Sequence, residues 1–331
     1  MTANRKKILL PTEMARAGWA VLEGRDDIAP VAFGPEMSGA DFQGELATAS
    51  AVALWGRPFT AADVAAAPHL QAVGRIGVGY DAVDVPALTA RAIPLLIAGT
   101  ANSVTVAEHA LFFMFWLAKQ GAALDRVVRD GDWPRKYVHR IFDLYGKTVL
   151  IVGFGRIGTR LAARCLALEM TVLVHDPFTA QDGIAARGCI PAPDLDAALA
   201  RADFVSIHCP KKPDTVGLFN AARLARMKSS AFLVNTARGG IIDEPALYDA
   251  LVAGRLAGAG LDVFEQEPTP ADNPLLRLPN VIAAPHMAGV TQEALDRMAV
   301  NTVRNLLSVL DGRPERENVV NKDVLAGDMP G

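Results

Sequence analysis

Short apolar runs rich in Val, Ile and Leu recur along the chain, separated by Ala-rich stretches with helical spacing. The runs KKILL (6–10), AVAL (51–54), LQAVGRI (70–76), TVLIVG (148–153), TVLVHD (171–176), FVSIHC (204–209), AFLVNT (231–236), GAGLDV (258–263) and VIAAP (281–285) read as strands. Segments such as 155–168, 195–201, 221–227 and 244–253 read as helices. Strands that are apolar throughout, rather than at alternate positions, are buried on both faces. In alternation with helices they predict an α/β protein built on doubly wound parallel sheets. The segment TANSVTVAEHALFFMFWLAKQ (100–120) joins polar cap residues to a long apolar helix, and predicts the crossing from one domain to a second. The last helical stretch, about 290–311, either caps the second domain or returns to the first; spacing leaves both open.

Length fits two domains, because 331 residues exceed what one core usually serves. A formal charge of −3, with acids and bases mixed, argues against a broad electrostatic grip on nucleic acid or anionic lipid. The most apolar run, ALFFMFWLA (110–118), is about half a membrane span and reads as a buried helix. Cys165, Cys189 and Cys209 are an odd, widely spaced set and read as free thiols. The N-terminal MTANRKKILLP is too short in apolar residues for a secretion signal, so a cytoplasmic location is expected.

After KTVLIV comes Gly153-Phe154-Gly155-Arg156-Ile157-Gly158, then a helical stretch, a second strand and Asp176. A lone GxGxxG is weak; one that closes a strand, opens a helix and has an acid at the end of the next strand has a dinucleotide-binding context. Gly153 permits a tight turn, Gly155 lets backbone approach a pyrophosphate, and Gly158 lets helix and strand pack closely. Asp176 is placed to accept hydrogen bonds from the adenosine ribose hydroxyls. Its charge repels a 2′-phosphate, and Pro177 and Phe178 follow rather than arginines, which favours NAD over NADP.

Three later stretches each end a predicted strand: NTARGG with Arg238, GLDVFEQEP with Asp262, Glu265 and Glu267, and AAPHMAG with His286. Taken singly, each has an ordinary structural reading as a solvated arginine, a surface carboxylate or a core histidine. Together they lie on one rim, because ligands of open parallel sheets bind outside the carboxyl ends of strands. Reducing a 2-keto acid needs a cation for the carboxylate, an acid for the carbonyl oxygen and a partner that keeps this acid charged. Arginine, histidine and glutamate supply those three parts.

With these residues in view, the chain resembles the D-isomer-specific 2-hydroxyacid dehydrogenases, the family of phosphoglycerate dehydrogenase and the glyoxylate/hydroxypyruvate reductases. The likeness runs through VGRIGVGYDAVDV (73–85), NSVTVAEHA (102–110), GKTVLIVGFGRIG (146–158), VNTARGGIIDEPAL (234–247), AGAGLDVFEQEP (257–268) and APHMAGVT (284–291). It implies a Rossmann NAD-binding domain (102–286) inserted into a flavodoxin-like substrate domain (1–101 and 287–331). It implies that Arg238 binds the substrate carboxylate and that Glu267 pairs with His286, the acid/base. Backbone N–H groups around Gly77, Val78 and Gly79 are expected to hold the carboxylate. Arg156, Ile157, Asp176, Cys209, Thr236, Ala237 and Asp262 fall where family members touch the dinucleotide. Dimerisation through the NAD domain is also implied.

Substrate identity is less legible. Arg75 and Arg135 stand in motifs matching the basic set of phosphoglycerate dehydrogenases, but Trp55 takes about the place of one of their arginines. Trp55 either lines an apolar pocket or fills core; Arg57 either meets a distal anion or lies in solvent. The basic RKYVHR (135–140) either reaches a neighbouring subunit or is a solvated loop. No C-terminal regulatory domain is expected after the matching core. The expectation is a small 2-keto acid such as glyoxylate, hydroxypyruvate or pyruvate. The alternatives are phosphoglycerate dehydrogenase proper and an NAD-responsive corepressor. Formate dehydrogenase, which shares the fold, is disfavoured because it replaces the paired glutamate by glutamine.

Overall fold

The computed structural model describes residues 5–137 and 141–325. The first four residues, the tail from Ala326 and the VHR end of the RKYVHR stretch lie outside the described residues. The chain forms two compact units: residues up to Asn102 together with those from Val290 onward, and Ser103–Gly289.

The first unit is built on five strands: β1 (Lys6–Pro11), β2 (Ile28–Phe33), β3 (Ala51–Leu54), β4 (Ala72–Arg75) and β5 (Leu95–Ile97). They pair in parallel in the order β2-β1-β3-β4-β5, the flavodoxin-like arrangement. Alternate residues of one strand enter different cores: Ile8 and Leu10 one, Leu9 the other. Both faces are therefore covered, as the continuous apolar runs require. The helix Gln292–Leu310 covers one face, and Gly74 of β4 makes room for it: a Cβ there would sit 2.8 Å from Thr302 Cγ2.

The second unit holds β6 (Thr148–Val152), β7 (Thr171–His175), β8 (Ile190–Pro191), β9 (Phe204–Ile207), β10 (Phe232–Asn235), β11 (Gly258–Leu261) and β12 (Val281–Ala283). Their order, β12-β11-β10-β9-β6-β7-β8, reverses direction at β6 and β9, the Rossmann switch point. Here too alternate residues divide between faces: Leu150 and Val152 on one, Val149 and Ile151 on the other. The apolar helix Ser103–Lys119 covers the second face and presses Phe113 onto Gly260 of β11, where a Cβ would come within 2.8 Å of its ring. No helix of the described residues is long and apolar enough to cross a membrane.

Three strands escape the apolar-run reading for local reasons. β2 carries Pro30, which interrupts a strand pattern; as an edge strand it tolerates the missing N–H. β5 has three residues directly after Pro94, and β8 only two, the second of them Pro191.

His208, just beyond β9, has a consequence for stability. Its Nε2 lies 2.8 Å from Ser206 Oγ, while its Nδ1 is buried with no hydrogen-bond partner among the described residues. Burial pushes this imidazole down to about 4 from an ordinary 6.5. A depressed histidine favours the fold fully above its unfolded value and loses that contribution as pH falls through the folded one. Unfolding free energy should therefore decline between pH 6.5 and 4, by no more than about 3 kcal/mol from this group. Denaturant unfolding of wild type and His208→Gln at several pH values checks this: the variant should lose part of that slope, and an identical slope would rule it out.

Candidate active site

The glycine loop at the end of β6 is shaped by what lies beside it. Gly153 has φ 99°, and a Cβ there would sit 2.6 Å from the Cys209 nitrogen. The loops after β6 and β9 are thus packed backbone to backbone at the switch point. A Cβ on Gly158 would lie 2.1 Å from the Gly153 carbonyl oxygen, so the helix Gly158–Ala167 starts hard against the turn. Over Gly155 there is open space, with no atom within 4 Å of its Cβ position. That helix has no side-chain cap at Ile157. Open room above a helix N-terminus is the arrangement that receives phosphate. Asp176, after β7, is fixed by three backbone N–H donors: Phe154 at 2.6 Å, Phe178 at 2.8 Å and Thr179 at 3.1 Å. It therefore ties the end of β7 to the glycine loop. The half-buried Cys209 thiol is pushed up to about 11 by burial and stays protonated at neutral pH.

The loop after β10 answers how Arg238 is positioned. Asn235 ends the strand and braces the turn from both sides. Its Oδ1 accepts the Ala237 N–H at 3.0 Å, and its Nδ2 donates to the Arg238 carbonyl at 2.9 Å. Arg238 Nη1 donates to the Ala237 carbonyl at 2.7 Å. Behind it, Gly239 lies so close to the next loop that a Cβ would fall 1.6 Å from the Phe264 oxygen. Thr236 is buried, with its Oγ1 lacking any partner among the described residues, an orphan donor and acceptor that a ligand would satisfy.

The loops after β11 and β12 complete the rim. Glu267 Oε2 lies 2.6 Å from His286 Nδ1, and its Oε1 accepts the Phe264 N–H at 2.9 Å. The carboxylate is anchored at one oxygen and engages the imidazole with the other, which leaves Nε2 as the nitrogen directed elsewhere. His286 has a left-handed backbone, φ 56°, uncommon for a non-glycine residue. Asp262, 1% exposed, holds this turn: Oδ1 accepts the Met287 N–H at 2.7 Å and Oδ2 the Ala288 N–H at 2.9 Å. Its own carbonyl accepts the His286 N–H at 2.8 Å. Glu265 pairs instead with helix Glu244–Val252: its Oε1 accepts the Glu244 N–H, and Glu244 Oε1 accepts the Glu265 N–H.

Arg238, Glu267 and His286 thus stand on three neighbouring strand ends, linked by the Gly239–Phe264 approach and the Phe264–Glu267 hydrogen bond. Asn235, Phe264 and Glu244 join the site only in the structure. An amide residue just before a turn is the sequence signal for Asn235; a backbone N–H such as that of Phe264 has none. His109 likewise emerges only here, its Nε2 buried and unpartnered among the described residues. Burial pushes His109 down, opposed by the charge of Asp262.

In the first unit, Gly77, Val78 and Gly79 follow β4, half-buried. Gly77 has φ 136°, with no atom within 4 Å of its Cβ position. Trp55 packs on the core and lines a cavity of about 570 Å³ with Pro11, Glu13, Phe33, Met37 and Arg57. Arg57 stacks 4.4 Å over the Phe42 ring and donates to the Met37 carbonyl. Arg75 donates to the Leu54 carbonyl, and Arg135 forms a 3.6 Å pair with Asp132. Among the described residues no cluster of His, Cys, Asp or Glu is suited to a metal ion.

The geometry is that of a dinucleotide-binding domain with a histidine–carboxylate pair on its rim, and comparison with known proteins agrees. Residues 111–288 match the model of the D-isomer specific 2-hydroxyacid dehydrogenase NAD-binding domain. The chain is 41% identical over 258 residues to a D-3-phosphoglycerate dehydrogenase of Archaeoglobus fulgidus, covering 78% of this chain and 48% of that one. It is 39% identical to a glyoxylate reductase of Korarchaeum cryptofilum, covering 85% of each. Its fold superposes with a TM-score of 0.83 on the D-lactate dehydrogenase of Aquifex aeolicus complexed with NAD and lactic acid, at 26% identity over 95% of this chain and 99% of that one. The chain spans about half the length of the phosphoglycerate dehydrogenases it matches. It belongs to the D-isomer specific 2-hydroxyacid dehydrogenase family.

Proposed function

We propose that the protein interconverts a small 2-keto acid and its D-2-hydroxy acid, with NAD as the hydride carrier. The observation that carries this reading is the 2.6 Å pairing of Glu267 with His286 on the rim of an NAD-binding domain. The residues around the crevice fit the cofactor: space over Gly155, an uncapped helix start and the orphan hydroxyl of Thr236. Gly153, Gly155, Arg156, Ile157 and Gly158 line its diphosphate, Asp176 its adenosine ribose, and Cys209, Thr236, Ala237 and Asp262 the remainder. Bound NADH supplies the hydride.

The rest is work for this chain's side chains. Arg238 binds the substrate carboxylate with its planar fork and orients the keto group. His286 Nε2 gives its proton to the keto oxygen as negative charge develops there. Glu267 fixes the imidazole orientation through Nδ1 and faces the positive charge that the ring carries before transfer. In the oxidative direction the neutral ring takes the hydroxyl proton back.

Glyoxylate, hydroxypyruvate or pyruvate is favoured because Trp55 brings an apolar surface where a phosphate-binding arginine is expected. The phosphoglycerate dehydrogenase names among the relatives support 3-phosphohydroxypyruvate as the second reading. Free cysteines at all three positions support a cytoplasmic location. Turnover of a keto-acid panel with NADH and NADPH separates the readings: a small keto acid with NADH should be reduced fastest. His286→Ala should lower that rate by about 10²- to 10⁴-fold while NADH still binds. Undiminished turnover by the variant would remove His286 from the mechanism.

A second copy of the chain is the proposed partner. Phe112, Phe115, Trp133, Tyr137 and Tyr145 expose large apolar surface along one stretch of the NAD-binding unit. Exposed aromatic side chains of this kind are what interfaces bury. Light scattering should give a dimer mass for wild type and a monomer mass for Phe115→Glu; a wild-type monomer at working concentration would contradict the dimer.

A further inference from the structure

The turn that follows β9 carries Lys211 and Lys212, two cations that the proposed mechanism does not use. The turn is preformed. Thr215 Oγ1 donates to the Pro210 carbonyl at 2.7 Å and accepts the Lys212 N–H at 2.8 Å. The Thr215 and Val216 N–H groups both donate to the Lys212 carbonyl at 3.0 Å, and Gly217 N–H donates to the Gly240 carbonyl at 2.9 Å. From this rigid base the two ammonium groups reach in opposite directions.

Lys212 Nζ lies 5.3 Å from the centre of the Phe178 ring, in the loop after β7. Phe178 is the residue whose N–H binds the Asp176 carboxylate. The sheet order puts β6 between β9 and β7, so a side chain that starts after β9 and ends at the β7 loop crosses above the end of β6. That end is the glycine loop, with its open space over Gly155. Lys211 reaches the other way, and its Nζ lies 3.0 Å from the Cβ position of Gly240, two residues past Arg238. Among the described residues no carboxylate lies within ion-pair distance of either ammonium, so both charges are available to a ligand.

We propose that Lys211 and Lys212 form a cationic strap across the dinucleotide crevice, with Lys212 binding the cofactor diphosphate from the side opposite the glycine loop and Lys211 adding positive charge at the nicotinamide end. The glycine loop offers backbone N–H groups and one mobile charge, the Arg156 guanidinium, against the two negative charges of a diphosphate. A flexible ammonium closing from the facing loop neutralises the diphosphate that those N–H groups cradle. Phe178 seats the lysine stem and its charge by a cation–π contact before the ligand arrives.

The strap rests on the NAD-binding reading of this domain, and a binding experiment separates the two. NADH, ADP-ribose and adenosine are titrated into the full chain at low and high salt. The proteins are wild type, Lys212→Ala, Lys211→Ala/Lys212→Ala, Lys212→Arg and, as a surface control, Lys322→Ala. At low salt Lys212→Ala should weaken NADH and ADP-ribose by about tenfold, and the double variant more, with the loss shrinking at high salt. Adenosine, which has no phosphate, should bind all variants alike, and Lys212→Arg should restore most of the affinity. Unchanged NADH affinity in the double variant would overturn the strap. An equal loss for adenosine would also overturn it, since the lysine would then act only by packing on Phe178. A wild-type chain that binds none of the three would remove the NAD-binding reading itself.

Discussion

A buried carboxylate with both oxygens committed to backbone is the constraint on which the site depends. Asp262 directly follows β11 at 1% exposure, and burying such a charge costs several kcal/mol unless hydrogen bonds replace water. The Met287 and Ala288 N–H groups provide that replacement at 2.7 and 2.9 Å. In satisfying Asp262 they force the chain after β12 into a turn, and His286 takes a left-handed backbone at its head. A histidine in that conformation is strained alone and persists only where its surroundings over-determine it. Here they do: the Asp262 carbonyl holds its N–H and Glu267 holds its ring.

The same economy of backbone runs through the rim. Asn235 braces Arg238 by its amide, Phe264 anchors Glu267 by its N–H, and Gly239 lets the two loops touch. Each functional side chain therefore sits on a strand end and is held by a group with no chemistry of its own. This is what precise positioning requires, because an ångström of slack costs an enzyme about two orders of magnitude.

Much of this was legible in the amino-acid order. Continuous apolar runs give doubly covered parallel strands wherever they are four residues or longer, and the glycine spacing with Asp176 marks the dinucleotide crevice. The Arg238, Glu267 and His286 motifs could be placed because strand ends in such sheets share one rim. What escaped notice has a common cause. β2 is masked by Pro30, and β8 is two residues long. The bracing by Phe264 is made with backbone, which is the same for every residue type. Nothing in the order of residues marks Lys211 and Lys212, which gain their interest only from the sheet order around their turn.

Whether Asp262 holds the His286 turn is tested most directly by Asp262→Asn, assayed for keto-acid reduction with NADH at saturation. The amide NH2 takes the place of one carboxylate oxygen and points its donors at a backbone N–H, so one of the two hydrogen bonds is replaced by a repulsion. Turnover should drop by about a hundredfold even with cofactor saturating, together with a lower melting temperature. Wild-type turnover and an unchanged melting temperature would show that the turn stands without that carboxylate, and would contradict this role for Asp262.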